Sequence, residues 1–131
     1  MARNCIIPTP KRYVNKLLDS VGYKKNIIGK KILENSCGEG QILLEIVRRY
    51  LKDARNKGLS SYDIKCGLEK DILGVEVDPL LIQKCIVNLN SEVKKYNLPK
   101  INWNIQNVDY LTTTFKDIFF IAYIPFKGLS L

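Results

Sequence analysis

Apolar and polar residues along the chain follow two periods, one typical of helices and one typical of strands. Between residues 8 and 22 the apolar side chains recur at i, i+1, i+4, i+5 and i+8, which predicts one face of a helix. Thr9 is its expected N-cap, Pro10 its first helical residue, and Gly22 its end. The apolar face consists of Tyr13, Val14, Leu17, Leu18 and Val21.

Short apolar segments separated by helical patterns predict a layered α/β domain. One helix should end near residues 56–58, and another should begin at Pro79. A short helical piece is expected at residues 64–69. Because strands alternate with helices, we expect a parallel sheet with right-handed crossovers. The four predicted strands cover residues 31–34, 71–77, 101–105 and 115–123.

Length and composition indicate one globular domain. The chain has 131 residues, of which 46% are hydrophobic and 26% are charged, so it can bury a core. No apolar run reaches the roughly 20 residues of a membrane helix. Residues 1–8 lack the apolar core of a signal peptide. We therefore expect a cytoplasmic protein with no membrane partner.

The chain is basic, with 21 Lys and Arg against 13 Asp and Glu and a net charge of +8. Such a charge fits an ordinary basic surface, and it equally fits attraction to a polyanion such as nucleic acid. The basic residues are spread along the sequence and form no long run. The sequence alone leaves both interpretations open.

Cysteine and histidine usage excludes several kinds of chemistry. The four cysteines include no C-x-x-C pair, and there is no histidine. This argues against a zinc site or a secreted disulfide framework, and we expect no metal. Mechanisms that need an imidazole base are excluded. Cys37 is interpreted as a small apolar filler rather than as a reactive thiol.

Two segments carry the candidate chemistry, and both combine an apolar strand with a turn. Residues 32–40 predict a strand, a tight loop with Gly38 and Gly40, and the start of a helix. Residues 72–79 predict a second strand that ends at Glu76, whose carboxylate can accept hydrogen bonds from ribose hydroxyls. The carboxyl ends of such strands converge, which predicts a nucleoside pocket there.

The glycine spacing argues against a ligand with a pyrophosphate. Leu43 stands where a third glycine of G-x-G-x-x-G would be, and Glu39 in the loop would repel phosphates. S-adenosylmethionine fits better, since it joins a sulfonium, an amino acid, a ribose and an adenine. Asp109, after the third strand, can accept a hydrogen bond from the adenine amino group. Structural alternatives remain open, with Asp109 as a turn residue and Glu76 as a helix cap.

Four segments, in this order, resemble the amino-terminal half of S-adenosylmethionine-dependent, adenine-specific DNA methyltransferases of restriction–modification systems. They are Pro8-Thr9-Pro10, Leu33-Glu34-Asn35-Ser36-Cys37-Gly38-Glu39-Gly40, Gly74-Val75-Glu76-Val77-Asp78-Pro79 and Asn107-Val108-Asp109-Tyr110-Leu111. The resemblance implies that Thr9 and Pro10 lie near the methionine part of the cofactor. It assigns the remaining cofactor contacts to Glu34, Ser36, Cys37, Gly38, Gly40, Glu76, Val77, Asp109 and Tyr110.

The resemblance also implies a fold, an activity and a partner. The fold is a Rossmann-like methyltransferase fold whose parallel sheet is incomplete, with about four strands. Residues 1–131 would form a single truncated domain without a target-recognition domain. In the intact family, a methyl group passes to the exocyclic amine of adenine (N6) in DNA. Binding of DNA by this chain alone is expected to be weak or absent.

The family's fifth motif, N-P-P-[YF], is altered in this chain. The corresponding residues are Tyr123, Ile124, Pro125 and Phe126, so a tyrosine stands in place of the Asn or Asp that holds the adenine amine. A phenol cannot replace that amide or carboxylate acceptor. No catalytic residue is intact, and we expect the chain alone to be inactive. The alternatives are a non-catalytic fragment that needs a completing protein chain, or a relative that methylates RNA or protein.

Overall fold

The computed structural model describes residues 10–35, 37–115 and 118, and the backbone of residues 120–122. Within these residues helices and strands alternate as the sequence predicts, and the short helical piece expected before the second strand is a full helix. The elements are α1 (Lys11–Ser20), β1 (Ile32–Glu34), α2 (Gln41–Asn56), α3 (Ser61–Asp71), β2 (Ile72–Val75), α4 (Pro79–Val93), β3 (Asn104–Gln106) and β4 (Phe120–Ala122), with 3-10 turns at Lys94–Tyr96 and Tyr110–Thr112.

The four strands form one parallel sheet in the order β3-β2-β1-β4. Leu33 lies between Leu73 and Ile121 in the register, and Leu73 pairs on its other side with Asn104. Strand order reverses between β1 and β4, and such a switch point is where open α/β sheets bind ligands. The prediction of a parallel sheet of about four strands is confirmed. We call the side of the sheet where the carboxyl ends of the strands lie the carboxyl edge, and the opposite side, where the strands begin, the amino edge.

The main core lies between the helices and one face of the sheet. Side chains from all four helices pack there against Ile32 and Ile72, and Trp103 packs at its margin. On the other face a smaller cluster of Leu33, Leu73 and Val75 is partly covered by Tyr110 and neighbouring residues. The alternation between Ile32 and Leu33 follows from the period of two along a strand. This arrangement fixes which loops meet at the carboxyl edge.

Helix α3 is longer than the predicted piece at residues 64–69. Its first turn is stabilised by Ser60, whose hydroxyl accepts a hydrogen bond from the backbone N–H of Asp63 at 3.1 Å. Serine followed three residues later by an acid is a helix-start signal that the hydrophobic pattern hides. The helix runs directly into β2, so Asp71 belongs to the helix and the strand is shorter than predicted.

Two further boundaries differ from the prediction. Pro10 occupies the N-cap of α1 rather than the first helical position, since its ψ of 145° is extended. Strand β3 begins at Asn104 instead of residue 101. The backbone N–H of Asn102 donates to the Glu69 carboxylate at 2.8 Å, which diverts this stretch from sheet pairing. The indole N–H of Trp103 donates to Asn90 Oδ1 at 2.8 Å, and its ring packs against the main core.

Candidate functional site

The glycine loop joins β1 to α2 at the carboxyl edge. Gly38 and Gly40 have φ values of 53° and 99°, a region that glycine adopts without strain. A Cβ atom at Gly40 would lie 2.8 Å from the Sγ atom of Cys85 in α4. A Cβ at Gly38 would meet no described atom within 4 Å. The loop is therefore packed tightly at Gly40 and open at Gly38.

Glu76 connects the glycine loop to the loop after β2. Its side chain is 2% exposed, and its Oε1 atom accepts a hydrogen bond from the Gly38 N–H at 2.9 Å. Its Oε2 atom accepts one from the Asp78 N–H at 3.0 Å. The cap of α4 is Asp78, which accepts from the Leu80 N–H, so the helix-cap alternative for Glu76 is wrong. The acid therefore lies beside the loop that the sequence assigned to the same pocket.

Asn107 ties the loop after β3 to the same place. Its side-chain amide donates to the carbonyl oxygens of Glu76 at 3.0 Å and Val77 at 2.9 Å. The Glu76 N–H donates to the Gln106 carbonyl oxygen at 3.0 Å. Sequence reasoning did not assign a role to Asn107, although it is the first residue of its motif. The loops after three neighbouring strands are thus joined by side-chain and backbone hydrogen bonds.

Asp109 lies on an exposed turn just beyond Asn107. Its Oδ1 atom accepts a hydrogen bond from the Leu111 N–H at 2.9 Å and so caps the short 3-10 turn. Its carbonyl oxygen accepts from the hydroxyls of Thr112 and Thr113. The turn interpretation of Asp109 is confirmed, and a role in ligand binding stays a prediction, because the exposed carboxylate can make further contacts.

Apolar side chains flank this edge. Val77 is 53% exposed and lies in the loop after β2. Leu111 is 86% exposed and lies in the 3-10 turn that follows Asp109. Tyr110 instead turns toward the sheet, where its ring stacks on Phe115 with 6.2 Å between ring centroids. Exposed apolar residues beside hydrogen-bonding groups are typical of small-molecule sites.

Glu34 and Cys37 are buried beneath the candidate site, at the end of β1 and in the loop after it. Glu34 is fully buried at the end of β1, and the Cys37 N–H donates to the Val75 carbonyl oxygen at 2.9 Å. A hydrogen bond with Cys85, burial, and the nearby negative groups raise the pKa of the Cys37 thiol well above its usual range. A thiol that stays protonated supports the interpretation of Cys37 as an apolar filler.

Several predicted residues add little or fall outside the described residues. Thr9 and Ser36 are outside them, and so is the altered motif from Tyr123 to Phe126. Pro10 is exposed, and its carbonyl oxygen accepts from the N–H groups of Tyr13 and Val14. Glu39 lies 3.7 Å from Lys84 Nζ, beside a surface recess along α4.

Metal-ion clusters and membrane-spanning helices are absent from the described part of the chain. No group of three or more His, Cys, Asp or Glu in it is arranged to hold a metal ion. None of the helices it contains has both the length and the apolar character required to cross a membrane.

Solved structures with the same architecture include an RNA methyltransferase from Salinibacter ruber in complex with S-adenosyl-L-homocysteine. It superposes with a TM-score of 0.56 at 17% identity, over 88% of this chain and 58% of that protein. No protein-family model and no curated protein matches the sequence. The 58% coverage means that this chain spans less than two thirds of the length of the RNA methyltransferase.

Restriction–modification enzymes superpose equally well. A nuclease-deletion mutant of the Type ISP enzyme LlaGI, in complex with a DNA substrate mimic, has a TM-score of 0.60 at 20% identity, over 87% of this chain and 12% of that protein. The ATP-dependent Type ISP enzyme LlaBIII bound to DNA superposes with a TM-score of 0.60 at 19% identity, over 87% of this chain and 9% of that protein. The chain has the Rossmann-like methyltransferase fold predicted from its sequence.

Proposed function

We propose that this chain is the S-adenosylmethionine-binding part of a DNA adenine (N6) methyltransferase of the restriction–modification type. The observation that carries the proposal is the contact between Glu76 and the glycine loop. It joins an acid at the end of β2 to Gly38 at 2.9 Å, on the carboxyl edge of a parallel sheet. Acid and glycine loop together suit the ribose and amino-acid parts of that cofactor.

The residues present fit such a ligand. Each oxygen of Glu76 accepts one backbone N–H, and a carboxylate oxygen has capacity to accept a second hydrogen bond from a ribose hydroxyl. The open space at Gly38 lets a ligand approach the backbone of the loop. Val77 and Leu111 offer exposed apolar surface of the kind that an adenine ring covers. The carboxylate of Asp109 would accept a hydrogen bond from the adenine amino group.

The cofactor, when bound, would supply an electrophilic methyl group on its sulfonium. The chain's own contribution would be to bind and orient it, since proximity and orientation account for a large share of the rate of such transfers. Tyr123 and Ile124 replace the residues that hold the target amine in the family, and we expect no methyl transfer above background by this chain alone. A completing protein chain that supplies the missing groups remains the alternative.

DNA is the proposed substrate class because the order of the four sequence motifs matches that of the DNA methyltransferase family. The LlaGI and LlaBIII structures, with DNA or a DNA mimic, support it. RNA is the second candidate, since the Salinibacter ruber protein that shares the fold is an RNA methyltransferase. Tritium transfer from the cofactor to matched DNA and RNA duplexes, in the presence of a completing chain, would distinguish the two substrates.

Calorimetric titration with S-adenosylhomocysteine tests the cofactor proposal. We expect saturable binding by the unaltered chain, and at least tenfold weaker binding by Glu76→Gln, which corresponds to about 1.4 kcal/mol. The glutamine keeps the shape of the side chain but loses the charge and one acceptor atom. Asp63→Asn, a change on the exposed surface of α3, is the matched control and should bind like the unaltered chain.

Two results would contradict the proposal. One is a folded chain that releases no heat with S-adenosylhomocysteine at any concentration. The other is equal affinity of the Glu76→Gln variant and the unaltered chain. Thermal unfolding of each variant separates loss of binding from loss of the fold, since Glu76 also holds two backbone N–H groups.

A further inference from the structure

Six lysines lie in segments at the amino edge of the sheet, opposite the candidate cofactor site. Three of them precede adjacent strands: Lys31 before β1, Lys70 before β2 and Lys100 before β3. Lys94 follows the end of α4, which returns to the amino edge because it connects two parallel strands. Lys24, Lys25, Lys31, Lys70, Lys94 and Lys100 are together called the amino-edge lysines. All are exposed except Lys31, which is half-buried.

Hydrogen bonds join the segments that carry these lysines. The N–H of Gly29 donates to Asp71 Oδ2 at 3.1 Å, which holds the approach to β1 against the start of β2. The N–H of Asn102 donates to Glu69 at 2.8 Å, which brings the approach to β3 against the end of α3. Because neighbouring strands lie about 4.8 Å apart, the segments that lead into the three strands lie side by side at this edge.

The remaining segments are tied to the same surface. The N–H groups of Asn26 and Ile27 donate to Asp53 near the end of α2, at 3.2 and 2.9 Å. The guanidinium of Arg55 lies 4.4 Å from the ring centroid of Tyr96, just after α4. The loop with Lys24 and Lys25 and the turn that begins at Lys94 therefore both border the end of α2.

The carboxylates of this edge do not neutralise the amino-edge lysines. Asp53 is 7% exposed and accepts from backbone N–H groups and from Lys57, and Asp71 is 2% exposed and accepts from Gly29 and Tyr50. Glu69 is paired with Lys65. Among the residues that the structure describes, none of the six amino-edge lysines forms an ion pair. These three carboxylates are thus occupied by other partners, and the exposed amino-edge lysines keep their charge toward solvent.

We propose that the amino-edge lysines bind the phosphodiester backbone of nucleic acid independently of base sequence, in place of the weak or absent DNA binding that the family resemblance implies for this chain. Unpaired cations clustered on one face, which displace condensed counterions, are the usual basis of such binding. An anionic membrane fits less well, because membrane surfaces also take up apolar side chains. Of the described large apolar residues with high exposure, Val77, Leu80 and Leu111 lie in or next to the loops at the carboxyl edge, and Tyr13, Tyr62 and Val87 lie singly on three different helices. The proposal does not depend on cofactor binding.

Compensation of helix dipoles explains only part of this surface. Basic residues in the last turn of a helix stabilise it, and Lys70 and Lys94 lie in or next to such turns. Lys24, Lys31 and Lys100 are in connections between elements, where no helix end requires them. A surface that extends beyond the helix ends indicates an external anion.

A matched pair of triple variants tests the proposal. The amino-edge variant is Lys70→Gln, Lys94→Gln and Lys100→Gln in the full chain. The control is Lys11→Gln, Lys16→Gln and Lys84→Gln, which removes the same charge from exposed lysines elsewhere. Fluorescence anisotropy with a labelled mixed-sequence duplex DNA, and with the matching duplex RNA, measures affinity across a salt titration. Vesicles of phosphatidylserine and phosphatidylcholine form a third arm.

We expect the amino-edge variant to bind duplexes about tenfold more weakly and the slope of log K against log salt to become shallower by about two to three. The control should stay within about twofold of the unaltered chain. A second variant, Lys24→Gln with Lys100→Gln, should weaken binding without touching a helix end. Equal loss in both triple variants, no loss in either, or loss confined to vesicles would overturn the proposal. The DNA and RNA arms identify which nucleic acid is preferred.

Discussion

Asn107 is the residue whose importance the structure adds to the candidate site. Two hydrogen bonds from its amide hold the loop after β2 against the loop after β3. Because each neutral hydrogen bond contributes about 0.5–1.5 kcal/mol, Asn107→Ala should lower the free energy of unfolding by about 1–2 kcal/mol. Urea unfolding followed by Trp103 fluorescence measures this. Gln83→Ala, which removes an exposed amide from α4, serves as control, and equal stability of the two variants would refute the role of Asn107.

Buried thiols allow a second test at this scale. Since the pKa of Cys37 is raised, first by its hydrogen bond with Cys85 and then by burial, its thiol stays protonated at pH 8, where an ordinary thiol is partly ionised. Iodoacetamide at pH 8 should modify the half-buried Cys66 well before Cys37 or Cys85. Peptide mass spectrometry gives the order, and labelling of Cys37 as fast as in urea would contradict the expectation.

Residue types and motifs in the sequence predicted at which end of the sheet the candidate side chains lie, but not the contacts that they make. Glu76 was correctly placed beside the glycine loop, because parallel strands end at a common edge. Its two contacts with backbone N–H groups depend on loop geometry, which a motif does not contain. The short turn capped by Asp109 and the inward side chain of Tyr110 also depend on loop geometry, and the motif therefore did not predict them.

At the scale of elements, the glycine loop and α4 fit together closely. Gly40→Ala would combine the strain of a φ of 99° with a contact of 2.8 Å to Cys85 Sγ. We expect a loss of about 1–3 kcal/mol in stability, as for a non-glycine residue held in an unfavourable backbone region. Gly58→Ala is the matched control, with a φ of 70° but no described atom within 4 Å of the added Cβ.

The comparison of these two variants by thermal unfolding separates backbone strain from overlap. Adding Cys85→Ala to Gly40→Ala should recover part of the loss, because it removes the overlapping sulfur. If Gly58→Ala costs as much as Gly40→Ala, the contact with Cys85 is not important and strain alone accounts for the glycine.

Hydrophobic periodicity predicted the long elements and missed boundaries that polar groups set. The helices α2 and α4 have continuous apolar faces and were placed well. The first turn of α3 depends on the Ser60 cap, and the start of β3 depends on Asn102 and Glu69, which a search for apolar periods does not weigh. Such contacts join residues up to 33 positions apart in the sequence, beyond the range of any local window.

At the scale of the whole molecule, the amino-edge lysines lie toward one end of the sheet and Glu76 lies at the other. The carboxyl edge carries acids of the candidate site, and the amino edge carries the amino-edge lysines. In the sequence these lysines are scattered over residues 24–100. They come to the same side of the sheet because each parallel crossover returns the chain to the amino edge. The sequence therefore predicted the net charge of the molecule but not that these lysines share one end of the sheet.

Acid stability depends on the carboxylates that hold the amino edge together. Burial raises the pKa of Asp53, but hydrogen bonds from Lys57 and the N–H groups of Ile27 and Asn26 outweigh it, so the pKa is lowered. A carboxyl whose pKa is lower when folded stabilises the protein above its unfolded pKa of about 3.9, and that contribution disappears as the pH falls through the folded pKa.

Asp53→Asn should therefore unfold more easily than the unaltered chain at pH 7, because it loses the charge that binds Lys57 and strengthens the two backbone hydrogen bonds. The difference between the two proteins should shrink as the pH falls below about 4, where the wild-type carboxyl takes up a proton. Urea unfolding at a series of pH values, followed by Trp103 fluorescence, measures this difference. A difference that is constant from neutral to acid pH would mean that the packing of Asp53, and not its charge, holds the loop before β1 against α2.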